Sequence, residues 1–350
     1  MLLGLASEVN FVWNYSKELS LKVLEREHRF MSAFDMAEFT RGADKEGLQL
    51  HSQTVQAVSE EYCKRRKQFK KAKLRWRVSK GSRRSLGWIP FKAVAIHYKQ
   101  GQLHYGKLAL GLWDSYGLAD FNLGAGSFSE DSRGRWYANI TVSTPELCGP
   151  RPQKKDCIGI DLGLRELAAF SDPDLKSIQA QHFYRDLEPA LATAQRAGKK
   201  ARTRAIHAKI ANRRKDFLHK LSTKLVKQYE TIVVGNVSSS KLVKTKMAKS
   251  VLDSGWAMFR AQLMYKSLEA ASVFKEVNES FSTQDCSACG ARTGPKGLAG
   301  LEVSKWTCPV CSTHHDRNQN AAQNILVRGL LGTRPDSAST PIWAFMPKYH

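Results

Sequence analysis

The chain has no apolar run of membrane-spanning length, few acids for its bases, and few cysteines outside one cluster. The first lack excludes a transmembrane helix, which needs about 20 apolar residues in succession. The shortage of acids goes further: 32 Asp and Glu face 55 Lys and Arg, a net charge of +23 at pH 7, so a polyanionic partner is expected. Among seven cysteines Cys63, Cys148 and Cys157 stand alone, which speaks against a disulfide framework and for a metal site in a reducing compartment. The opening residues, MLLGLASEVNFVW, also lack the basic start and small-residue cleavage site of a signal peptide. The expected location is the cytoplasm, on the nucleoid when bound to DNA, with no membrane partner. At 350 residues and 42% hydrophobic content there is room for two or three domains with true cores.

What is present falls into blocks. Residues 7–84 read as largely helical, from the three- and four-residue spacing of apolar positions in SEVNFVWNYSKELSLKVLEREHRF and in HSQTVQAVSEEYCKRRKQF. The second helix runs into Lys64–Arg84, which holds twelve Lys or Arg and no acid, with Phe69 and Trp76 interleaved. A solvated face would mix signs for i,i+4 pairing, so an unbroken basic run points to phosphate contacts. From Leu86 to about Pro145, the segments LGWIPF, AVAIHY, QLHYGKLAL and RWYANITVS are parted by breaks at Lys99–Gly101 and Ser127–Gly134. Short strands at this spacing predict a small barrel or sandwich. Gly149–Asp156 reads as a linker.

Cys157–Phe170, CIGIDLGLRELAAF, reads as a buried strand ending in Asp161, a turn at Gly163 and a return strand, Leu167–Phe170. An acid at a strand end is where metal-dependent nucleases of the RNase H-like class keep their first ligand. A strand over Ser177–Tyr184 follows, then a helical region over Leu187–Tyr229. Within it Arg196–Lys227 carries twelve Lys or Arg against one acid, Asp216. Ile210, Phe217, Leu218, Leu221 and Leu225 share one side, so this helix packs on a sheet and turns its basic face outward. Thr231–Val237 reads as another central strand, followed by the helix GWAMFRAQLMYKSLEAAS and the strand VFKEVNESF, a mixed α/β pattern. Cys286-x2-Cys289, eighteen residues, then Cys308-x2-Cys311 is the spacing of a structural four-thiolate zinc site.

Four blocks then come together: CIGIDLGLRELAAF; NRRKDFLHKLS; LDSGWAMFRAQLMYKS leading into STQDCSACG; and CPVCSTHHDRNQNAAQNIL. They resemble the TnpB family of transposon-encoded RNA-guided nucleases, related to the type V CRISPR effectors, and span most of residues 157–327. NFVWNYS and HSQTVQAV resemble it more faintly. The resemblance implies a helical recognition lobe over 1–84, with a remnant of the wedge, and a wedge β-barrel over 85–150. It implies a RuvC, RNase H-like α/β domain over 151–284, an inserted zinc ribbon over 285–314, the last RuvC helix over 315–332 and a C-terminal tail, 333–350. Guide RNA and target double-stranded DNA are the implied partners, with one protein copy on one RNA.

RuvC chemistry needs three carboxylates, because two divalent cations must be held close together to activate water and stabilise the leaving oxygen. By resemblance Asp161 supplies the first. The second position, directly after Ile232–Val234, holds Gly235, and the third, two residues before the Asn of NAA, holds Asn318. Glycine has no ligand atom and asparagine is neutral, whereas hard cations are held chiefly by carboxylate charge. Nothing near Gly235 is expected to replace the acid, since Asn236 is neutral too; Asp316 stands a helical step away from the third position, and Asp253 requires a loop that folds back. The expectation is a vestigial site with no catalytic magnesium, zinc as the structural metal, and no enzyme activity.

Such a chain is most like the nuclease-dead TnpB-like repressor (TldR) branch, bacterial proteins that occupy a promoter under RNA guidance and repress transcription. The short motif beside the target would be read by Ser52, Gln53 and Gln56, whose polar groups reach base edges, unless Ser52 serves as a helix cap. Phosphate contacts are expected from Lys70, Arg75, Arg83 and Arg84 and from Arg202, Arg213 and Arg214. Two rival readings stay open: an active RNA-guided DNA endonuclease with an altered metal site, and a guide-free zinc-ribbon protein that binds nucleic acid by charge alone.

Overall fold

A computed structural model describes residues 1–43, 47–114, 117–143, 153–237, 248–297 and 299–331. Cys148, the first half of the expected linker Gly149–Asp156 and the tail 333–350 lie outside the described residues, and the linker's last two residues, Lys155 and Asp156, already belong to a strand. The chain divides into two compact units, 1–146 and 147–350. Among the described residues no helix is long and apolar enough to cross a membrane.

The first unit opens with α1 (Leu2–Glu27), α2 (Ala33–Thr40) and α3 (Ser52–Gln68). Along α1 the buried positions Leu5, Val9, Val12, Trp13, Ser16 and Ser20 recur every three or four residues, so one stripe faces inward. It meets α3 through an edge-to-face pair of Trp13 and Tyr62, ring centres 5.3 Å apart, and a buried Ser16–Ser59 hydrogen bond of 3.2 Å. A capping box between Ser32 and Asp35 starts α2.

Helix does not continue to residue 84. The chain leaves α3 at Phe69, Lys70 takes a left-handed φ of 49°, and the segment from there to the first strand is largely extended. An uninterrupted basic run has no acid at i±4 to offset repulsion within a helix, and α1 offers the backbone other partners. Asn14 Nδ2 donates to the Arg77 carbonyl at 2.8 Å, and Asn14 Oδ1 accepts the Arg77 amide at 2.9 Å. Asn10 accepts from the Arg77 guanidinium and donates to Ser79, and Trp13 Nε1 donates to the Arg75 carbonyl. The NFVWNYS motif therefore clamps a basic strap.

After it come β1 (Trp88–Phe91), β2 (Ile96–Lys99), β3 (Gln102–Tyr105), β4 (Leu108–Gly111), β5 (Asn122–Glu130) and β6 (Trp136–Ser143). They form two three-stranded antiparallel sheets, β1-β5-β6 and β2-β3-β4, whose inward residues Ile89, Phe91, Leu103, Tyr105 and Phe128 share a core with the helices. No ladder joins the two sheets among the described residues. Ser127–Glu130, expected to be part of a break, is strand. The Gly and Ser residues of β5 have poor strand propensity, but a Cβ at Gly126 would lie 2.1 Å from the Asn139 carbonyl and 2.7 Å from the Phe91 ring. That glycine serves close packing between neighbours.

The second unit opens with β7 (Lys155–Asp161), β8 (Glu166–Phe170) and β9 (Ile178–Gln179), the last much shorter than the expected Ser177–Tyr184. Then come α4 (Glu188–Arg196) and α5 (Lys200–Gln228), parted at Gly198, whose φ of +63° breaks the single helical region expected there. β10 (Tyr229–Gly235), α6 (Ala248–Ser254), α7 (Trp256–Glu269) and β11 (Val273–Val277) follow. The strands form one sheet in the order β11-β10-β7-β8-β9, with β10 parallel to both β7 and β11 and β8 antiparallel to β7.

Period-two alternation gives this sheet two dressed faces. Ile158, Ile160, Ile232 and Val234 bury one against Leu218, Leu221 and Leu225 of α5 and Phe259 and Leu263 of α7. Gly159 and Gly235 point the other way, toward the last helix, α8 (Arg317–Leu331). A Cβ at Gly159 would meet the Ala322 carbonyl at 2.1 Å, so small residues on strand and helix let the backbones touch. Between β11 and α8 the chain makes two cysteine knuckles and the short antiparallel pair β12 (Lys305–Thr307) and β13 (His314–Asp316).

Candidate functional site

The four predicted cysteines come together: the ligand atoms of Cys286, Cys289, Cys308 and Cys311 all lie within 4.8 Å of one another. Each knuckle is a tight turn closed by backbone bonds, Gly290 N–H to Cys286 and Ser312 N–H to Cys308, both 2.8 Å. Thr293 holds the Cys308 thiol down to about 6 and Thr313 lowers Cys311, while burial pushes Cys286 up to about 12. Without a cation the four cannot all ionise, and a divalent cation makes four thiolates affordable. An all-sulfur tetrahedral set suits zinc and leaves no open position for water. Buried His315, tilted against Trp306 with ring centres 4.7 Å apart and its pKa lowered by burial, places Nε2 3.0 Å from the Cys286 sulfur, an outer partner for one ligand.

The ribbon is tied to α8 by the asparagine of NAA. Asn320 is buried; its Oδ1 accepts the Ser287 amide at 2.8 Å and its Nδ2 donates to the Ser282 and Asp285 carbonyls. Asn324 donates to the same two carbonyls, and Arg328 grips the Asn278 and Ser280 carbonyls at 2.8 Å each. The segment from residue 278 to the first knuckle is thus stapled along one helix.

That segment changes the picture of the acid site. Asp161 ends β7 on the face toward α8, two residues after Gly159. Gly235 ends β10 on the same face and pairs in register with Val277 of β11. Two residues past Val277 stands Glu279, where Asn236 Oδ1 accepts its amide at 3.3 Å. The Glu279 carboxylate fills the space that a side chain at 235 would take: a Cβ there would lie 2.6 Å from Glu279 Oε2 and 3.1 Å from Ile325 Cδ1. The sequence led us to expect no acid near Gly235, and the structure sets one beside it, Glu279. Parallel register brings a glutamate from the neighbouring strand, which no local motif at 235 announces. The one available signal is that VFKEVNESF reads as a strand adjoining TIVVG and ends in an acid.

Glu279 Oε2 is fully buried and, among the described residues, has no hydrogen-bond partner. Burial raises the Glu279 carboxyl above its ordinary range, with Arg260 pulling the other way. Asp161 keeps some open surface yet lies deep among protein atoms; that burial, then the charges of Glu279 and Glu166, pushes it up to about 7 against the pull of Arg317. Glu166 is a residue the sequence did not single out. Its Oε2 accepts from Asn318 Nδ2 at 2.9 Å and its Oε1 from Ser177 at 2.9 Å. Asn318 sits in the first turn of α8, and Asp316 caps that turn through Oδ1, accepting the Asn318 and Gln319 amides at 3.0 and 3.1 Å. Asp253 is engaged elsewhere, with the Tyr184 amide and Arg214.

Orphaned buried carboxylate oxygen next to a second raised carboxyl is the donor chemistry of a hard cation. Asp161 and Glu279 would hold magnesium or manganese, which on binding supplies charge neutralisation at a phosphate. Asn318 brings a neutral donor to that edge.

The expected nucleic-acid residues divide. In the first unit Ser52 and Gln56 are exposed one turn apart on α3, with Gln53 partly covered. The cap of α3 is His51, whose Nδ1 accepts the Gln53 amide at 3.2 Å, rather than Ser52; Gln56 Oε1 accepts from Lys92 at 3.5 Å. Lys70, Arg75 and Arg83 are exposed on the strap, with no acid at ion-pairing distance among the described residues. Arg84 has a different partner: both its terminal nitrogens bond the buried Glu130 carboxylate at 2.7 Å. A buried acid needs such a fork, so Arg84 serves the fold. In the second unit Arg202 and Arg213 are exposed along α5, whereas Arg214 pairs with Asp253 at 3.2 Å and is mostly buried.

Comparison with known proteins follows the same lines. Residues 139–246 match the OrfB_IS605 family, described as probable transposase, and residues 256–325 match the Cas12f1-like TNB domain. The chain is 34% identical over 232 residues to a protein of Streptomyces pristinaespiralis named "Putative RNA-guided DNA endonuclease", covering 61% of this chain and 56% of that one. It is 27% identical over 226 residues to InsQ of Escherichia coli K12, which carries the same description, covering 57% and 55%. The chain thus spans about half the length of the curated relatives it matches. Among solved structures, a Cas12f1–sgRNA–target DNA complex contains a chain that matches with a TM-score of 0.59 at 13% identity, over 92% of this chain and 81% of that one. At that identity the likeness is one of fold. The protein is similar to the TnpB and IS605 transposase-associated proteins and has a Cas12f-like fold.

Proposed function

We propose that the protein binds a guide RNA and, through it, double-stranded DNA beside a short adjacent motif, and that it represses transcription by occupying the site without cutting. The observation that carries this reading is Asn318. It stands at the edge of the acid site, where its amide is spent on Glu166 and adds no charge to hold a second cation. The basic side chains exposed on the strap and on α5 supply backbone contacts for RNA and heteroduplex, one protein copy to one RNA. Ser52 and Gln56, exposed on one face of α3, are the readers of the adjacent motif. The complex works in the cytoplasm, on the nucleoid.

The test is to sequence the RNA that co-purifies with the protein and to assay binding and cleavage of a DNA matching its variable end, with magnesium present. The expected result is one defined RNA, tight salt-sensitive binding and intact DNA. Cleavage would overturn the non-cutting half of the reading, and a smear of unrelated RNA would overturn the guided half.

A further inference from the structure

We infer that the outward face of α7 is the docking surface for the chain's own C-terminal segment Ile342–Met346, which is tethered to the second unit through the end of α8. The guided-repressor reading makes no use of this face.

Three observations carry the inference. The first is the face itself. Trp256, Phe259, Leu263 and Ser267 of α7 turn inward, while Ala257, Ala261, Met264 and Leu268, three or four residues apart, form one exposed stripe on the opposite side. Met264 is 54% exposed and Leu268 77%. The cations of the helix are engaged elsewhere: Lys266 is buried and donates to the His219 carbonyl at 2.7 Å, and Arg260 donates to the Val237 carbonyl at 3.1 Å and pairs with Glu276 of β11. Single exposed apolar residues are ordinary, but four in line along three turns mark a docking surface, and a stripe without cations offers nothing to a phosphate backbone. The second observation is the segment. Gly332–Pro341 is a polar spacer with prolines at 335 and 341, and after it Ile342, Trp343, Phe345 and Met346 stand close together without a charge. Aromatic rings suit a methionine thioether such as that of Met264. A second copy of the chain would bring +23 against +23, a repulsion that an uncharged segment escapes. The third is reach. Lys275 of β11 donates to the Gly329 carbonyl at 2.9 Å, so the last turn of α8 lies beside the strand into which α7 leads. The eleven residues from Leu331 to Ile342 span at most about 36 Å, against about 17 Å for the whole stripe. So short a tether raises the local concentration of the segment to the millimolar range.

The test is single-hit hydroxyl-radical footprinting of the full-length, zinc-loaded protein, with and without the RNA it carries, read by mass spectrometry. Met264 is expected to react several-fold more slowly in wild type than in the full-length variant Trp343→Ser/Phe345→Ser, with Met1, 73% exposed, as the unchanged reference. In the reciprocal variant Met264→Glu/Leu268→Glu, Met346 should react several-fold faster than in wild type. Both variants change exposed or tail positions, and thermal melts check that they fold. Equal reactivity of Met264 in wild type and the tail variant, or Met346 unmoved by the reciprocal change, overturns the inference. Protection of Met264 that fades on dilution also overturns it, by giving the face to a second copy, as does protection that appears only with RNA bound.

Discussion

The second unit gathers ligands in two places, and the two are built by opposite rules. The cysteine centre draws all four donors from Cys286–Cys311, two tight knuckles that carry their own turns and their own hydrogen bonds to sulfur. The acid site draws on the ends of three strands and the start of a helix, Asp161, Glu166, Glu279 and Asn318, and exists only when the sheet is assembled. The local site takes all four ligands from the segment that builds its own turns. A site assembled at strand ends can lose a ligand from one strand and receive another from its neighbour, since parallel register sets β10 and β11 side by side.

The sharpest way to break this contrast is to remove the metal from the local site. The ribbon has little core of its own, so zinc binding is its folding energy, about 10 kcal/mol or more. Chelation, or Cys308→Ser, is expected to unfold residues 285–316 and to free the staples from Asn320 and Arg328, and with them the Glu279 segment. Limited proteolysis reads the first effect and loss of manganese binding the second. A chelated protein that keeps both its ribbon and its manganese would show the two sites to be independent.

How far each site could be read from the sequence follows from the same contrast. The cysteine spacing alone predicted the zinc centre, because its geometry is local. The strand ending in Asp161 was legible from CIGID, and so was TIVVG as a central strand, because continuous apolar runs mark strands buried on both faces. Glu279 was not legible, because its place depends on which strand lies beside β10 and in what register. Nor were the roles of Arg84 and Arg214: both belong to basic runs, and only the fold shows that each is engaged by an acid, Glu130 and Asp253. The strap up to residue 84 was misread as helix because composition shows charge but not the asparagines of α1 that hold the segment extended.

A middle-sized effect sharpens the account of the acid site. In zinc-loaded protein without magnesium or manganese, Asp161 titrates near 7, against about 4 for an ordinary carboxyl. The folded protein therefore keeps a proton that the unfolded chain has released. Its contribution to stability is full below about pH 4 and is lost as pH rises toward 7. Thermal midpoints should fall between pH 5 and pH 8. Asp161→Asn should flatten that slope, and added manganese should do so in wild type. An equal slope in Asp161→Asn would place the titrating group elsewhere.

The smallest effect lies in the second knuckle. Gly290 closes the first with φ +76°, where a glycine fits without strain, while Ser312 closes the second at φ +59°, a conformation that costs a residue with a Cβ about 1 kcal/mol. Ser312→Gly removes that strain but loosens the unfolded chain, so the net gain is a fraction of it. Since the ribbon folds on its metal, the gain should appear as tighter zinc, up to about fivefold in competition with a chelator. Gly290→Ser should move the midpoint the other way by a similar factor. Opposite shifts of this size would show that the two knuckles are one backbone device with different residues at the turn; a weaker Ser312→Gly site would mean that the serine makes a contact worth more than its strain.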